Sequence, residues 1–244
     1  MRISRIYLPE TTINAEQEIT IDGVKAHYIR NVLRLKINHI IEFFTPDGQQ
    51  YQGTISDLGK HHVTLSGIQT TSNQPQPSSL QVTLVQGISS SDRMDYTVQK
   101  AAELGCQQLI PVLSEFCSQK IPPHKYEKKQ QHWQAVAISA CEQTGRSDLL
   151  HIQPVTTLEA ITQNNREAIY LEPTATTKIN QLPATLRQNM VIFVGPEGGF
   201  SPTELDRFRD AGYTGVVLGQ RVLRTETVAP VILSALHTLY GDFS

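Results

Sequence analysis

Five short apolar runs in the C-terminal two thirds of the chain constrain the fold more than any other feature. They are LQVTLVQGI (80–88), QLIPVL (108–113), AIYLE (168–172), MVIFV (190–194) and GVVLG (215–219). Helical patterns lie between them: DYTVQKAAELG (95–105) ends at a glycine suited to a left-handed cap, and a longer one runs from Tyr126 to Gln143. Continuous apolar strands that alternate with helices are typical of a parallel sheet covered on both faces. The sequence therefore predicts an α/β domain.

The first 70 residues have a different pattern. The runs RISRIYL, HIIEFFT, QYQGTIS and HHVTLSG alternate apolar and polar residues, and turn signals such as PDG (46–48) and LGK (58–60) separate them. Together with one short helix expected around Lys25 to Leu33, they predict a small β-barrel, an architecture that often presents loops to RNA. The polar stretch TTSNQPQPSS (70–79) cannot form a core element. We therefore expect a domain at 1–70, a linker at 71–79 and a second domain at 80–244.

Composition excludes a membrane protein and a disulfide scaffold. Hydrophobic residues make up 39% of the chain, and no apolar run approaches the roughly 20 residues that a membrane helix needs. The N-terminus MRISRIYLPE lacks the apolar segment of a secretory signal, so we expect a cytoplasmic protein without membrane contact. Cys106, Cys117 and Cys141 have neither metal-site nor redox spacing and are expected to be reduced packing residues. No metal is expected.

Charge is unevenly distributed although the net charge is only −2. The segment HYIRNVLRLKINH (27–39) contains three cations and two histidines and no acid. One interpretation is a solvated helix face. The other is a patch that contacts phosphates, because local positive charge is enough to release counterions from a nucleic acid backbone.

Ligands of parallel sheets bind beyond the carboxyl ends of the strands, and this rule selects three loops: Glu172–Pro173, 195–200 and 219–224. The second loop, GPEGGF, is neither a Walker A loop nor a dinucleotide-binding motif. Its glycines allow positive φ and let backbone groups reach a ligand directly. Ser201-Pro202-Thr203-Glu204 then predicts a capping box with proline at the first helical position. A tight strand-to-helix turn without a ligand is the alternative.

The third loop, GQRVLRTETVAP (219–230), has a glycine exit followed by Arg221, Arg224 and Glu226. We expect the helix to resume with Thr227 as its N-cap, because this places Pro230 in the first turn, where its missing N–H costs little. The final helix, VILSALHTLYG, is apolar on most of its surface. It is expected to pack against the sheet or against another subunit.

Two further segments carry charged residues near helix ends. In SDRMDYTVQKAAELG, Arg93 stands at the helix start, where the dipole disfavours a cation unless the cation faces an anion. In ACEQTGRSDL, Glu142, Gln143 and Arg146 surround the end of the long helix at Gly145. An ordinary polar C-cap explains this second segment equally well.

In combination, these motifs resemble a known family. DRMDYTVQKAAELGC, ISACEQTGRS, FVGPEGGFSPTE and LGQRVLRTET occur in this order behind a β-rich segment containing HYIRNVLR, and together they are similar to the RsmE family. Its members are 16S ribosomal RNA uridine N3-methyltransferases of the SPOUT superfamily. The resemblance covers essentially the whole chain, and four motifs in order make it specific.

The resemblance implies an enzyme that uses S-adenosyl-L-methionine, with an N-terminal PUA-like RNA-binding β-barrel and a C-terminal SPOUT α/β domain tied in a trefoil knot. It implies a homodimer whose subunit interface holds the site, and 16S rRNA as substrate, within the assembled small ribosomal subunit. It assigns these residues to the cofactor: Leu171, Glu172, Gly195, Pro196, Glu197, Gly198, Gly199, Leu218, Gly219, Val222, Leu223 and Thr227.

Methylation at uridine N3 requires removal of the N–H proton and in-line placement of the nitrogen. Arg224 is expected to face the uracil oxygens or a phosphate, and Glu226 or Glu197 to accept the proton, because these are charged residues inside the two loops. An Arg–Glu pair that only holds the loops together is the alternative. The residues expected to contact RNA are Arg2, Arg5, Arg30, Arg34, Arg93 and Arg146.

Two departures from the family pattern and two rival functions remain. Ser89-Ser90-Ser91 stands where many members have a lysine and a glycine, and Val228 replaces a small residue after LRTET.

The first rival function is that of a SPOUT methyltransferase acting on another RNA uridine or on transfer RNA. The second is a non-catalytic RNA-binding assembly factor that retains an inactive domain.

Overall fold

The computed structural model describes residues 3–9, 18–71, 78–162, 167–183, 185 and 189–243. The chain forms two compact units. Unit 1 consists of residues 1–76 and 142–149, and unit 2 of residues 77–141 and 150–244. Most of the linker predicted at 71–79 lies outside the described residues. The exact domain limits given above stay a prediction.

Unit 1 contains one mixed five-stranded sheet. Its strands are β1 (Ser4–Tyr7), β2 (Ile19–Asp22), β3 (Ile40–Phe44), β4 (Gln50–Leu58) and β5 (His62–Thr70). The order across the sheet is β1-β3-β4-β5-β2, with β1 and β3 parallel and the other pairs antiparallel. Four of these strands match the predicted alternating runs. The sequence analysis did not predict β2.

One helical segment covers the core of unit 1. Helix α1 (Gly23–His27) continues directly into a π-helical turn (Tyr28–Val32), in agreement with the helix predicted around residues 25–33. Ile29 of this segment is fully buried. It belongs to one apolar cluster together with residues from all five strands, such as Ile6, Ile21, Phe43 and Leu65. Because side chains alternate along a strand, every second residue of the short strands supplies this core.

Unit 2 contains an eight-stranded sheet in which all pairs are parallel. Its strands are β6 (Gln81–Gly87), β7 (Gln108–Leu113), β8 (His151–Ile152), β9 (Thr156–Thr157), β10 (Ala168–Leu171), β11 (Thr177–Lys178), β12 (Asn189–Val194) and β13 (Thr214–Val217). Their order is β11-β13-β10-β12-β6-β7-β8, with β9 also paired to β7. All five apolar runs form strands, so the prediction of a parallel α/β sheet is confirmed.

The helices of unit 2 follow the predicted alternation. They are α2 (Ser91–Glu103), α3 (Tyr126–Thr144), α4 (Leu158–Thr162), α5 (Pro202–Asp210) and α6 (Thr225–Tyr240), with 3₁₀ turns at Pro123–Lys125 and Ile179–Gln181. Helix α2 begins four residues before the predicted start at Asp95. Gly105 has a φ of +80° just beyond its end, as the cap prediction requires. The last residues of α3, 142–144, are grouped with unit 1.

An aromatic core joins the sheet to α5. Phe208 of α5 is fully buried and contacts the rings of Tyr170, Phe193, Phe200 and Tyr213 at centroid distances of 4.9 to 5.9 Å. Such ring pairs stabilise a core beyond the area they bury. This packing fixes α5 directly behind the GPEGGF loop, because Phe200 is the last residue of that loop.

Cys106 and Cys141 are buried and Cys117 is partly buried, as expected of packing residues.

Candidate functional site

A cavity of about 530 Å³ opens at the carboxyl ends of β10, β12 and β13. These strands are adjacent in the sheet, so the loops that follow them converge at one edge. The volume falls within the range of small-molecule sites. The walls consist of residues 171–173, 194–200, 216–219 and 221–225, with Arg93 from α2 and Val228 from α6.

Every residue that the resemblance assigns to the cofactor lines this cavity except Thr227. The reason is the start of α6, which the sequence analysis placed incorrectly. Arg224 is the N-cap and Thr225 the first helical residue, so Pro230 lies inside the helix rather than in its first turn. Residues 224, 225 and 228 then share one face at helical spacing, and Thr227 is exposed away from the cavity.

The glycines of the loop 195–200 are required mainly by the chain itself. A Cβ on Gly195 would lie 3.0 Å from the backbone of Gly199, and a Cβ on Gly198 would lie 2.8 Å from the Cβ of Phe116. Of these three glycines only Gly199 has positive φ, +71°. The lack of side chains was expected to serve the approach of a ligand, but a Cβ at Gly198 would also collide with Phe116, and one at Gly195 would press tightly against the backbone of Gly199.

The predicted capping box at the start of α5 is confirmed. The Ser201 hydroxyl accepts a hydrogen bond from the Glu204 N–H (3.3 Å), and the Glu204 carboxylate accepts one from the Ser201 N–H (2.8 Å). Pro202 occupies the first helical position. The other carboxylate oxygen of Glu204 accepts a bond from the Glu115 N–H at 2.9 Å. The helix start therefore also anchors the loop that follows β7.

A buried hydrogen-bond network beneath the loop was missed by the sequence analysis. The Thr225 hydroxyl donates to the Gly195 carbonyl at 2.7 Å. The side-chain amide of fully buried Gln86, on β6, donates to the Thr225 hydroxyl at 3.1 Å and to the Gly87 carbonyl at 3.0 Å. These contacts connect β6, the glycine loop and the first residue of α6. The only sequence signal was a glutamine inside the apolar run LQVTLVQGI.

The guanidinium of Arg93, which lines the cavity, lies between two carboxylates. Arg93 Nη1 is 2.9 Å from Glu197 Oε1, and Arg93 Nε is 3.5 Å from Glu226 Oε2. The Glu197 carboxylate also accepts hydrogen bonds from the Ser90 N–H (3.0 Å) and the Ser118 hydroxyl (3.1 Å). The expectation that Arg93 must face an anion is thus met inside the protein.

These donors decide the protonation of Glu197. Burial by itself opposes ionisation, but the Ser90 and Glu197 N–H groups, the Ser118 hydroxyl and the Arg93 guanidinium together hold the pKa of Glu197 below its ordinary value of 4.5. A carboxylate with a low pKa and occupied oxygens is a weak proton acceptor. The contacts of Glu226 are fewer: its Oε2 is buried, makes no hydrogen bond among the described residues and lies 3.5 Å from Arg93 Nε. Glu226 does not itself line the cavity.

Arg221 and Arg224 line the cavity and are exposed. Within the described part of the chain, neither guanidinium makes an ion pair with a carboxylate. Both are therefore available to an anionic group that enters from solvent.

Two arginines of the basic segment 27–39 have different environments. Arg30 donates from one guanidinium nitrogen to the carbonyls of Gly59 (2.9 Å) and Lys60 (3.1 Å), so it connects the helical segment to the β4–β5 turn. Arg34 is exposed and has a φ of +53°. A non-glycine residue in this region is uncommon and is often found at a functional site.

The remaining arginines assigned to RNA are less accessible or not described. Arg2 lies outside the described residues. The Arg5 guanidinium lies 4.8 Å from the centre of the Phe44 ring. Arg146 is grouped with unit 1 rather than with the second domain, and its mostly buried side chain pairs with Asp148 at 2.9 Å.

The two departures from the family pattern have clear environments. The backbone N–H of Ser90 donates to Glu197, and the Ser91 hydroxyl accepts a hydrogen bond from Lys129 at 2.9 Å. Ser89 is buried. Val228 lines the cavity, so its side chain contributes an apolar surface to the wall.

The residues that the structure describes contain no group of three or more metal-ligating side chains. None of the helices in these same ranges is both long and apolar enough to cross a membrane.

Two family models match the chain. The model described as "RNA methyltransferase domain" matches residues 76–237, and the model described as "RNA methyltransferase PUA domain" matches residues 21–66. Among curated relatives, the ribosomal RNA small subunit methyltransferase E of Buchnera aphidicola is 32% identical and covers 100% of this chain and 99% of its own length. The protein of that name from Bacillus subtilis is 26% identical over 97% of this chain and 98% of its own.

Solved structures give the same result. The ribosomal RNA small subunit methyltransferase E of Neisseria gonorrhoeae, bound to S-adenosylmethionine, superposes with a TM-score of 0.88 at 33% identity and full coverage of both chains. A Legionella pneumophila protein, also solved with S-adenosylmethionine, superposes with a TM-score of 0.91 at 30% identity and full coverage of both.

Proposed function

The chain belongs to the RNA methyltransferase family, and within it to the ribosomal RNA small subunit methyltransferases E; on this premise we propose that it transfers a methyl group from S-adenosylmethionine to N3 of a uridine in 16S ribosomal RNA. The observation that carries the proposal is the cavity at the carboxyl ends of β10, β12 and β13, with the exposed Arg224 in its wall. We also propose the division into an RNA-binding domain (1–70), a linker (71–79) and a knotted catalytic domain (80–244).

The residues present fit the cofactor. The three loops bring backbone N–H and carbonyl groups to the wall, which suits the polar groups of a nucleoside and an amino acid, and Val222, Leu223 and Val228 add apolar surface. When bound, S-adenosylmethionine supplies a methyl group on a positively charged sulfur. The residues of the 171–173, 195–200 and 218–223 segments would hold it.

The charged residues have separate roles in the proposal. Arg224 stabilises the negative charge that develops on the uracil as the N3 proton leaves, because its exposed guanidinium has no carboxylate partner among the described residues. Glu226 is proposed to accept the proton because Glu197 is the less suitable acceptor; the Oε2 of Glu226 makes no hydrogen bond among the described residues and lies 3.5 Å from Arg93 Nε. Glu197, the other candidate acceptor, has both oxygens occupied and serves to hold the loop.

Substitutions test these roles separately. Arg224→Ala and Glu226→Gln are each expected to lower kcat while leaving the affinity for S-adenosylmethionine largely intact. The kcat of Glu226→Gln should fall by about 10²–10⁴-fold if the substitution removes a general base. Full activity of either variant refutes the role assigned to that residue. If the rate of methyl transfer by Glu226→Gln still rises steadily with pH, the N3 proton of the uridine is lost to water and not to Glu226.

Arg34 in unit 1 and Arg221 in unit 2, which lines the cavity, are each proposed to contact RNA. Both are exposed cations, and a target base in folded RNA must be extruded toward a positively charged surface. We propose that the substrate is the assembled small subunit and that the protein acts in the cytoplasm. These two points rest on the family alone.

A homodimer is proposed from the outer face of α6. Val231, Ala235 and Leu239 follow one another at four-residue spacing and therefore lie on the same face. The side chains of Val231 and Leu239 are 40% and 45% exposed. An apolar stripe of this kind is typical of a helix that packs against another subunit.

The deciding experiment is transfer of labelled methyl from S-adenosylmethionine to small subunits isolated from cells that lack this protein, followed by nucleoside analysis. Labelled N3-methyluridine in the 16S RNA is the expected product. Label in another nucleoside, or in transfer RNA only, would replace the substrate assignment. Binding of S-adenosylmethionine without transfer to any RNA would favour the non-catalytic assembly factor.

A further inference from the structure

We propose that Arg93 is a positioning residue that fixes the glycine loop to the start of α6, and that it does not contact RNA. The inference rests on the proposed function, because it concerns the same cavity. It replaces the assignment of Arg93 to the RNA surface.

The position of Arg93 at the start of α2 favours a positioning role. Arg93 is the third residue of the helix, within the first turn, where the helix dipole disfavours a cation. A cation is stable there when carboxylates neutralise it. Two carboxylates do so, since Glu197 lies 2.9 Å and Glu226 3.5 Å from its guanidinium nitrogens.

The Arg93 guanidinium connects separate segments of the chain. Glu197 belongs to the glycine loop, and Glu226 is the second residue of α6. Glu197 also receives hydrogen bonds from Ser90, just before α2, and from Ser118, after β7. One guanidinium therefore links segments that are more than 100 residues apart in the sequence, and two of these segments form walls of the cavity.

The charges of Glu197, Glu226 and Arg93 also favour a positioning role. The side chains of Glu197 and Glu226 are 22% and 19% exposed, so both carboxylates are partly shielded from water. Without Arg93 they would form a pair of like charges in a partly buried place, which is unfavourable. With Arg93 in place the group of three carries one net negative charge and would repel an RNA phosphate. A guanidinium in this arrangement holds protein groups rather than a nucleic acid.

The test compares Arg93→Met, Arg93→Lys and a control, Lys100→Met. Lys100 lies on the same helix and pairs with Glu103 at 2.7 Å, so its substitution also removes one cation and one ion pair from α2. Three quantities are measured on the full chain: the affinity for S-adenosylmethionine without RNA, kcat and KM with small subunits, and the salt dependence of RNA binding.

For Arg93→Met we expect affinity for S-adenosylmethionine to fall about ten-fold, which corresponds to roughly 1.4 kcal/mol. We expect kcat at saturating cofactor to fall at least as much, and the salt slope to equal that of the wild type. Lys100→Met should match the wild type in all three quantities. Arg93→Lys should recover part of the affinity and of kcat, because it keeps the charge but cannot form the same two-sided contact.

Two results would overturn the proposal. A salt slope lowered by about one unit, with kcat and cofactor affinity unchanged, would identify Arg93 as a phosphate contact. Wild-type cofactor affinity and kcat in Arg93→Met would mean that the cluster has no role in shaping the cavity. If the wild type itself transfers no methyl group, the proposed function fails, and the RNA-free cofactor affinity still decides the role of Arg93.

Discussion

Replacement of Thr225 by valine is expected to destabilise unit 2 through the loss of one hydroxyl. Valine has almost the same shape as threonine, so packing changes little. The substitution removes the 2.7 Å hydrogen bond to the Gly195 carbonyl and the 3.1 Å bond from the Gln86 amide. After it, the Gly195 carbonyl retains only the Gln86 amide at 3.4 Å.

The size of the effect follows from burial. Thr225 and Gln86 are both buried, so water cannot replace the lost partners. A buried polar group left unsatisfied costs about 1–3 kcal/mol. For a chain of this size each kcal/mol lowers Tm by roughly 2–4 °C, so Thr225→Val should melt about 2–12 °C below the wild type.

The assay uses the only tryptophan of the chain. Trp133 is buried on α3 and belongs to unit 2, so its fluorescence reports unfolding of that unit even if unit 1 unfolds separately. Thr225→Ser is the matched control because it keeps the hydroxyl and loses only a methyl group. It should melt much closer to the wild type.

A melting temperature of Thr225→Val within about 1 °C of the wild type would refute the reasoning, since the Gly195 carbonyl and the Gln86 amide would then be satisfied by other means. An equal loss in Thr225→Ser would attribute the effect to the methyl group. Saturating S-adenosylmethionine should raise the Tm of Thr225→Val less than that of the wild type, because the loop that binds it has lost a fixed point.

Three further predictions concern the loop, the RNA surface and acid stability. Gly198→Ala should weaken binding of S-adenosylmethionine about ten-fold or more by calorimetry, because the new Cβ would lie 2.8 Å from the Cβ of Phe116, and overpacking typically costs about 1–3 kcal/mol. Arg34→Ala should reduce the salt slope of RNA binding by about one unit. Arg30→Ala should mainly lower the stability of the fold and should change the salt slope less, because Arg30 bonds to backbone carbonyls. A reduced slope in Arg30→Ala together with an unchanged slope in Arg34→Ala would contradict the contacts of these two residues. Glu197 has a lowered pKa in the folded state, so its contribution to stability is present above its ordinary pKa of 4.5 and is lost as the pH falls through the folded pKa. The difference in urea midpoint between the wild type and Glu197→Gln should therefore shrink from pH 7 to acid pH. A difference that grows on acidification would refute the assignment.

Local patterns in the sequence were sufficient to predict most of the longer elements of both units. The continuous apolar runs indicated the parallel strands, and Ser201-Pro202-Thr203-Glu204 indicated the start of α5, because the residues that satisfy a helix N-terminus lie within four positions of one another. The strand Ile19–Asp22 was missed because only four residues alternate there. The start of α6 was misplaced because Pro230 was assumed to require the first turn, although packing of the helix tolerates it farther inside.

Contacts between distant segments could not be predicted in the same way. The helix-dipole argument correctly required an anion beside Arg93, but Glu197 and Glu226 are more than 100 positions away, and no local rule identifies them. The network of Gln86, Thr225 and the Gly195 carbonyl has the same character. Each residue alone is an ordinary polar side chain, and only the pairing of strands and loops makes it part of the site.

The glycine loop shows why the site depends on the chain before it depends on the ligand. A Cβ at Gly198 would collide with Phe116 and one at Gly195 would press tightly against Gly199, so the shape of the loop is set without any cofactor. The Thr225 hydroxyl holds the loop from below, and Glu197 anchors it to Arg93 and Ser118. A loop fixed in advance loses little conformational entropy when a ligand binds, so more of the contact energy appears as affinity. Substitutions that remove these contacts should therefore weaken cofactor binding.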